Sequence, residues 1–313
     1  MTKGRFAPSP SGRMHLGNVY TALLSWLLAK KAGGAWILRI EDLDRQRCKR
    51  AFAEQLLDDL RWLGLAWDEG PAGADDAAFC QSARDALYAR SLDALREQGL
   101  LYDCFCRRAD LLAATAPHAS DGTPVYAGTC RRLTDAQRAG FVRAGRVPAQ
   151  RVAVPAKESV FCDGHFGEQR CDLARDCGDF VVRRADGTFA YQLAVVTDDA
   201  LMGVTQVARG ADLLAATHQQ LFLYGALGYA PPQFFHLPLL VSADGRRLSK
   251  RDKDRDLGSL RERHTAQDII GLIMWLCGFS PRREAMSLRE ALDAFDAERL
   301  PRADIVVTDD SVL

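Results

Sequence analysis

Apolar residues recur at helical spacing close to the N-terminus. In the stretch VYTALLSWLLAKK they fall at Tyr20, Leu23, Leu24, Leu27 and Leu28. This spacing predicts a helix with one buried face, and we expect it to be capped near Asn18. The preceding stretch RFAPSP is predicted to be extended, because a residue before proline is disfavoured in the helical region.

Strand and helix patterns then alternate along the chain. AWILRIED is a continuous apolar run that ends in charge, which is typical of a strand buried in a parallel sheet. A helical pattern covers about 51–63, and GVTQVARG predicts another core strand. The alternation predicts an α/β fold with a parallel sheet and right-handed crossovers.

Later stretches give further local signals. DFVVRRADGTFAYQLAVVTDD contains a hairpin turn signal at residues 185–187. ADLLAATHQQLFLYGALG is predicted to be one helix that stops at Gly228.

The composition changes between residues 102 and 178, where cysteine, arginine and proline become frequent and helical periodicity weakens. We therefore predict an insertion at 102–178 that divides a catalytic domain into 1–101 and 179–256. Residues 257–313 are predicted to form a short helical C-terminal region.

Composition restricts the classes of function. The chain has 313 residues, 48% hydrophobic and 26% charged, with 41 basic and 41 acidic side chains. A net charge of zero gives no overall field for nucleic acid, so a phosphate or RNA site must be a local patch. Two basic stretches qualify, CRRLTDAQRAGFVRAGRVPAQR and RRLSKRDKDR, although each is also compatible with an ordinary solvated surface.

The sequence favours a cytoplasmic protein without membrane spans. Its longest apolar run, 269–279, is about half of the roughly 20 residues that a membrane helix needs. The N-terminal apolar run superficially resembles a secretion signal, but it ends in Lys30 and Lys31. Nine cysteines, an odd number, are typical of a reducing compartment.

Two stretches carry candidate phosphate chemistry. In RFAPSPSGRMHLGN, a turn with serine, glycines and His15 leads into a helix, which is a geometry that offers backbone N–H groups to phosphate. A purely structural turn is the alternative. In RRLSKRD, Lys250 would be a point charge and Arg251 a planar fork for polyphosphate, although a solvated basic loop fits equally well.

Together these stretches resemble a known family. SGRMHLGN is similar to the HIGH motif, and RLSKR to the KMSKS motif, of class I aminoacyl-tRNA synthetases. RFAPSPSG, LRIEDLD, DGTFAYQLAVVTDD and VARGADLL resemble the glutamyl branch of that family, and the resemblance covers about residues 4–255. It implies an α/β, Rossmann-like parallel sheet with a zinc-binding insertion.

The length of the chain restricts the resemblance to one part of the glutamyl branch. Only residues 251–313 follow Lys250, which is too few for the anticodon-binding region of full glutamyl-tRNA synthetases. The whole chain resembles the shortened family of glutamyl-Q tRNA(Asp) synthetases. That family activates L-glutamate with ATP and Mg2+ and esterifies queuosine in the anticodon of tRNA(Asp). We expect a monomer acting on these three substrates.

Three alternatives stay open at this point. The first is a minimal glutamyl-tRNA synthetase that charges a tRNA 3′ end. The second is a non-catalytic paralogue that binds RNA. The third is an adenylyltransferase for a small molecule.

The resemblance also implies roles for individual residues. The glutamate contacts would be Arg5, Phe6, Ala7, Pro8, Ser9, Glu41, Tyr191 and Arg209. The ATP contacts would be His15, Gly17, Asn18, Leu248, Ser249, Lys250 and Arg251, with His15 and Lys250 catalytic. The chemistry is consistent, because two arginine forks suit a dicarboxylate and Glu41 suits an ammonium group.

The resemblance further implies one structural Zn2+ held by Cys104, Cys106, Tyr126 and Cys130. Thiolates are common zinc ligands, whereas tyrosine is unusual. A rival ligand set is Cys162, His165, Cys171 and Cys177. The sequence departs from the family at Asn18, which replaces the second histidine of HIGH, and at Gln219, where the family often has arginine.

Overall fold

The structure is a computed structural model that describes residues 1–107, 125–246, 248 and 256–308. Its strands are β1 Lys3–Phe6, β2 Ala35–Leu38, β3 Leu101–Cys104, β4 Ala149–Val152, β5 Glu158–Asp163, β6 Gly167–Asp172, β7 Phe180–Arg183, β8 Gln206–Gly210, β9 Gln233–Leu237, β10 Leu240–Ser242 and β11 Ile305–Val307. Its α-helices are α1 Leu16–Lys31, α2 Arg50–Trp62, α3 Asp85–Glu97, α4 Asp135–Arg143, α5 Tyr191–Leu201, α6 Thr217–Ala226, α7 Leu257–Arg263, α8 Ala266–Leu276 and α9 Leu288–Ala294. The predicted Ser249, Lys250 and Arg251 lie outside the described residues.

The central sheet has the strand order β2-β1-β8-β9, and every pair is parallel. This confirms the α/β parallel sheet that the alternating pattern predicts. The register pairs Arg5 with Ile37 and Arg209 with His236. Because the strands are parallel, the side chains at their carboxyl ends meet at one edge of the sheet.

Helix α1 covers the sheet and supplies much of the main core. Its apolar face, including Leu16, Leu24 and Leu27, is fully buried, and the Phe6 and Trp36 rings stack beneath it with centroids 6.1 Å apart. Strand β2 is buried at Trp36, Ile37 and Leu38, as a continuous apolar strand in a parallel sheet should be.

Local structure differs from the prediction at two helix starts. Helix α1 begins at Leu16, and its N-cap is His15 rather than a residue near Asn18. The predicted single helix over 211–228 is a short turn followed by α6 from Thr217. The interruption leaves the Leu213 carbonyl to accept hydrogen bonds from Arg209 Nη2 and Thr217 Oγ1. The predicted turn at 185–187 is confirmed, with the Gly187 amide bonded to the Arg184 carbonyl.

The predicted insertion, with β3 at its start and β7 just after its end, forms β-structure that is separate from the central sheet. Strands β3, β4 and β7 form an antiparallel sheet, and β5 and β6 form a separate hairpin. The tip of that hairpin reaches the central sheet, where the Gly164 amide donates to the Phe234 carbonyl at 2.8 Å. The domain boundaries at 102 and 178 stay a prediction.

The C-terminal region contains the predicted helices α7, α8 and α9, and also a strand that the sequence analysis missed. Strand β11 pairs in parallel with β10. A run of three residues is too short to show periodicity, and its partner lies far away in the sequence. Within the described ranges, no helix is both long and apolar enough to cross a membrane.

Candidate active site

A cavity of about 470 Å³ opens at the carboxyl edge of the central sheet. Most of the predicted substrate-binding residues line it, namely Arg5, Phe6, Ala7, Pro8, Ser9, His15, Gly17, Asn18, Glu41, Tyr191, Arg209 and Leu248. The structure thus brings together residues from all six sequence motifs that carry the family resemblance. Their individual roles stay predictions.

The strands explain this convergence. Arg5 lies on β1 and Arg209 on β8, which is its neighbour in the sheet. The segments that follow β1 and β2 stay hydrogen-bonded to each other. The Arg39 amide donates to the Phe6 carbonyl and the Glu41 amide to the Pro8 carbonyl, both at 3.0 Å. Glu41 is thereby placed at the cavity wall.

Arg209 is a buried cation held by neutral acceptors. Only 4% of it is exposed. Its Nε donates to His236 Nε2 at 3.1 Å, its Nη1 to Gln220 Oε1 at 2.8 Å and its Nη2 to Thr217 Oγ1 at 2.7 Å. Burial lowers the pKa of this arginine. Within the described residues, no carboxylate forms an ion pair with it, so its charge is not neutralised by direct contact.

Arg5 has a different environment. It is 4% exposed, and its Nε lies 3.4 Å from Asp199 Oδ1 without forming a hydrogen bond. Asp199 is also bonded to Arg39 Nη1 at 2.6 Å. Burial alone would raise the pKa of Asp199, but Arg39 and Arg5 outweigh it and hold that pKa below its usual value. Asp199 is therefore an anion that both arginines share.

Among the described residues, Glu41 is one of two acidic residues that line the cavity, and Asp212 is the other. Its Oε1 accepts a hydrogen bond from Arg39 Nη2 at 3.0 Å. Burial raises the pKa of Glu41, and the nearby Arg39 and Arg5 oppose this shift only in part. The second carboxylate oxygen has no hydrogen-bond partner among the described residues, so it remains available to a ligand.

A buried ionic network behind the cavity was not assigned by the sequence analysis. Arg39 is fully buried and contacts Glu41, Asp199 and Asp198. Asp198 also accepts hydrogen bonds from Arg84 at 2.7 Å and Tyr88 at 2.8 Å. One sequence signal was available, because residues 39 and 41 alternate and so share a strand face. The partners on α5 had no such local signal.

Tyr191 begins α5 and lines the same wall. Burial raises the pKa of its hydroxyl, so the side chain is a neutral phenol. It forms no hydrogen bond with other described residues, which leaves its hydroxyl free to donate to a bound carboxylate.

His15 closes the start of α1. Its Nδ1 accepts a hydrogen bond from the Gly17 amide at 3.1 Å, and the His15 amide donates to Asn18 Oδ1 at 3.1 Å. A neutral imidazole that accepts through Nδ1 carries its proton on Nε2. The cap therefore fixes His15 as an Nε2–H donor at the cavity wall.

The cap uses the amides of two residues that are predicted to contact ATP. The Gly17 amide donates to His15 Nδ1 and the Asn18 amide to the His15 carbonyl, and the ATP contacts of Gly17 and Asn18 stay predictions. Gly17 is required for another reason, because a Cβ there would lie 2.9 Å from the His15 ring. Asn18 serves as the third residue of a capping box.

A second cavity of about 370 Å³ adjoins the first. The two share Ser9, Ser11, Glu41 and Tyr191 as common walls. The far side of the second cavity includes Arg47 and Arg184. Residues 15–18 do not line the second cavity.

The cysteine cluster is also assembled. Among the described residues, Cys104, Cys106 and Cys130 are the one group of metal-ligating side chains found together, with sulfurs within 4.8 Å of one another. Tyr126 Oη lies 3.6 Å from the sulfurs of Cys104 and Cys106. The set of donors matches the predicted ligands and could hold a metal ion.

Hydrogen bonds within this cluster favour the thiolate form of Cys130. Burial raises the pKa of Cys106 to about 12. For Cys130, burial acts in the same direction, but hydrogen bonds from Tyr126 and the Phe105 amide outweigh it and lower the pKa. Arg151 lies 3.9 Å above the Tyr126 ring, with Nε 3.3 Å from the Cys104 sulfur.

The rival ligand set is not brought together. The Cys171 and Cys177 sulfurs are 3.4 Å apart, but Cys162 is exposed on the hairpin and His165 Nε2 contacts the Pro301 carbonyl at 3.0 Å. These four side chains therefore do not form a metal site in the described structure.

The arginine-rich stretch of the insertion divides into two groups. Arg151 is buried and donates to the Asp179 carbonyl at 2.7 Å, and Arg146 donates to the Phe105 carbonyl. Arg132 and Arg143 are exposed. A phosphate-binding role is thus open only to part of this stretch.

Comparisons with known proteins agree with this geometry. The family described as tRNA synthetases class I (E and Q), catalytic domain, matches residues 1–311. The glutamyl-Q tRNA(Asp) synthetase of Symbiobacterium thermophilum is 49% identical over 100% of this chain and 98% of its own length. The glutamate–tRNA ligase 2 of Alkalilimnicola ehrlichii is 44% identical over 96% of this chain and 64% of its own length.

A solved structure gives the same result for the fold. The glutamate tRNA ligase from Elizabethkingia meningosepticum, crystallised in complex with its amino acid, superposes with a TM-score of 0.81 at 27% identity, over 99% of this chain and 68% of that one. With the match to residues 1–311, this shows that the chain belongs to the class I tRNA synthetases of the glutamate and glutamine branch, a family of ligase-type enzymes.

Proposed function

We propose that the protein activates L-glutamate with ATP and transfers it to queuosine in the anticodon of tRNA(Asp), independently of the tRNA 3′ end. The observation that carries the glutamate assignment is Arg209. It is a buried cation on a cavity wall, held by neutral groups only. A buried charge without a counter-charge is costly, so this arrangement favours an anionic ligand.

The other charges of the cavity fit the same ligand. Arg5 supplies a second cation, and no hydrogen bond from it to another described residue competes with a substrate. Glu41 supplies one anion with an available oxygen. Among the charged groups that line the cavity, which also include Arg13 and Asp212, we assign Arg5 and Arg209 to the two carboxylates of glutamate and Glu41 to its ammonium group. Glutamine would place an amide against an arginine and leave donors facing each other.

The proposed chemistry requires no protein nucleophile. The α-carboxylate of glutamate attacks the α-phosphorus of ATP, the bond to the β,γ-phosphates breaks, and pyrophosphate leaves. The chain's contribution is to align the reactants and to stabilise charge. His15 would donate from Nε2 to a phosphate oxygen, and Lys250 with Ser249 and Arg251 would contact the polyphosphate, while Mg2+ accompanies ATP.

The second cavity supports the transfer step. It shares walls with the proposed glutamate pocket and lies away from His15. A hydroxyl of the acceptor nucleoside entering there would attack the glutamyl carbonyl, and AMP would leave. Queuosine as the acceptor is supported by the relative that matches 98% of its own length and carries the name glutamyl-Q tRNA(Asp) synthetase.

We also propose one structural Zn2+ at Cys104, Cys106, Tyr126 and Cys130. The three sulfurs and the phenol oxygen already lie at the right mutual separations, and the Arg151 guanidinium lies 3.9 Å above the Tyr126 ring. The ion would join the end of β3 to residues 126–130 and so stabilise the insertion.

The experiment uses the purified protein, ATP, Mg2+ and labelled L-glutamate. Two tRNA pools are compared, one from normal cells and one from cells unable to make queuosine. We expect acid-precipitable label only with the queuosine-containing pool, and we expect it to survive removal of the 3′-terminal nucleotides.

The alternatives give different results. Label on both pools that disappears with the 3′ terminus would show a minimal glutamyl-tRNA synthetase. Absence of label on either pool, together with no binding of L-glutamate, would show a non-catalytic paralogue. Replacing glutamate with glutamine controls for the charge argument, and glutamine should not be incorporated.

A further inference from the structure

A chain of buried polar contacts connects the β5–β6 hairpin to the cavity. Asp163 at the hairpin tip is 2% exposed, and its Oδ2 lies 2.6 Å from His236 Nδ1. His236 on β9 is fully buried, and its Nε2 accepts the hydrogen bond from Arg209 Nε at 3.1 Å. Arg209 lines the cavity. One carboxylate in the hairpin is therefore linked through one imidazole to the cavity cation.

Three polar groups of the described structure contact the ring nitrogens of His236, namely Asp163 Oδ2, Arg209 Nε and Thr217 Oγ1, and Arg209 determines the tautomer. The guanidinium Nε can only donate, so His236 Nε2 must be the unprotonated nitrogen. The proton then resides on Nδ1 and is donated to Asp163. Burial lowers the pKa of His236, which keeps the ring neutral. Asp163 thus orients the imidazole, and the imidazole presents a lone pair to Arg209.

We propose that Asp163 and His236 are positioning residues, which aim the Arg209 guanidinium at a substrate carboxylate without neutralising its charge. This inference rests on the proposed function only in that Arg209 binds the carboxylate. An aspartate in direct contact with Arg209 would satisfy the same donor but would compete with the substrate as the counter-ion. Interposing a neutral imidazole fixes the direction of Nε and leaves the positive charge available.

The hairpin tip is built to hold Asp163 in place. Its Oδ1 accepts the amides of His165 at 3.0 Å and Phe166 at 2.9 Å. A Cβ at Gly164 would lie 2.8 Å from the Phe235 ring, so only glycine allows the tip to approach β9 this closely. These contacts fix the carboxylate from the hairpin side, while the ring of His236 is fixed from the sheet side.

Asp163→Asn is the diagnostic variant. An asparagine would keep its oxygen toward the two amides and turn its NH2 group toward His236 Nδ1. That would force the proton onto Nε2, which would then oppose the Arg209 Nε–H group. We expect the Kd of L-glutamate, measured by calorimetry, and its KM in glutamylation each to rise about tenfold, with the KM for ATP unchanged.

Ser159→Ala is the matched control. Ser159 lies in the same hairpin and contacts His218 Nδ1 at 2.9 Å, but it has no contact with His236 or Arg209. This variant should bind glutamate as the wild type does. An unchanged glutamate Kd in D163N, or an equal rise in the KM values for glutamate and ATP, would overturn the proposal.

A second pair of variants decides the question if D163N does not fold. His236→Gln retains an oxygen acceptor near Arg209, whereas His236→Ala removes it. We expect H236A to weaken glutamate binding about tenfold and H236Q to restore most of it. Equal affinities in the two variants would overturn the proposal. A wild-type protein that does not bind glutamate would instead refute the proposed function.

Discussion

Replacing Glu41 by glutamine tests the proposed ammonium site most directly. The substitution keeps the shape of the side chain and removes its charge. Glu41 is 8% exposed, and the one hydrogen bond of its side chain within the described structure joins Oε1 to Arg39. Arg39 keeps Asp199 as a partner at 2.6 Å, so the variant should fold.

The magnitude follows from the loss of one buried, charge-assisted hydrogen bond. Such a bond contributes about 2 kcal/mol, which corresponds to an increase of about 30-fold in the Kd of L-glutamate. Burial raises the pKa of Glu41, and a protonated Glu41 cannot attract an ammonium group. Wild-type affinity should therefore fall as the pH is lowered from neutral into the range where Glu41 takes up a proton, and E41Q should lack this dependence.

Calorimetric titration with L-glutamate across this pH range measures both effects. Glu69→Gln is the control, because Glu69 is 44% exposed and pairs with Lys3 outside the cavity. The control should retain wild-type affinity and pH dependence. If E41Q bound glutamate within about twofold of the wild type, or kept the pH dependence, the ammonium group would have to bind elsewhere.

Three further predictions concern stability, the helix cap and the metal. Arg39→Met leaves three buried carboxylates without their shared cation, so thermal or urea unfolding should show a loss of about 3–5 kcal/mol, whereas Arg50→Met on the exposed surface should leave stability unchanged. Gly17→Ala places a Cβ 2.9 Å from the His15 ring, so it should reduce kcat for glutamylation. Gly225→Ala is the control and should not reduce kcat, because a Cβ there meets nothing within 4 Å. Equal rates in the two variants would show that the orientation of His15 does not matter. Cys130→Ser should abolish the binding of one equivalent of Zn2+, measured by atomic absorption. Cys277→Ser is the control and should retain the ion, because Cys277 is a buried cysteine outside the cluster. Zinc bound equally by both variants would exclude this ligand set.

The sequence was most informative where function depends on local pattern. The apolar periodicity of α1 and the continuous run of β2 identify those elements, and the motifs around Arg5, Glu41 and Arg209 lie on one cavity as expected. The helix cap was predicted too far along the chain, near Asn18 instead of at His15, because histidine is a rare capping residue and asparagine a common one. Strand β11 was missed because three residues carry no period.

Local features of the sequence show which residues are apolar, where glycine and proline interrupt the chain and which motifs resemble a family. These properties depend on neighbours within a few residues, so they can be read locally. The tertiary structure decided which charges meet. Asp163 and His236 are 73 residues apart, and Arg39 and Asp199 are 160 apart. Only the packing of strands, helices and hairpin brings such groups within hydrogen-bonding distance, and that packing leaves Arg209 surrounded by neutral acceptors.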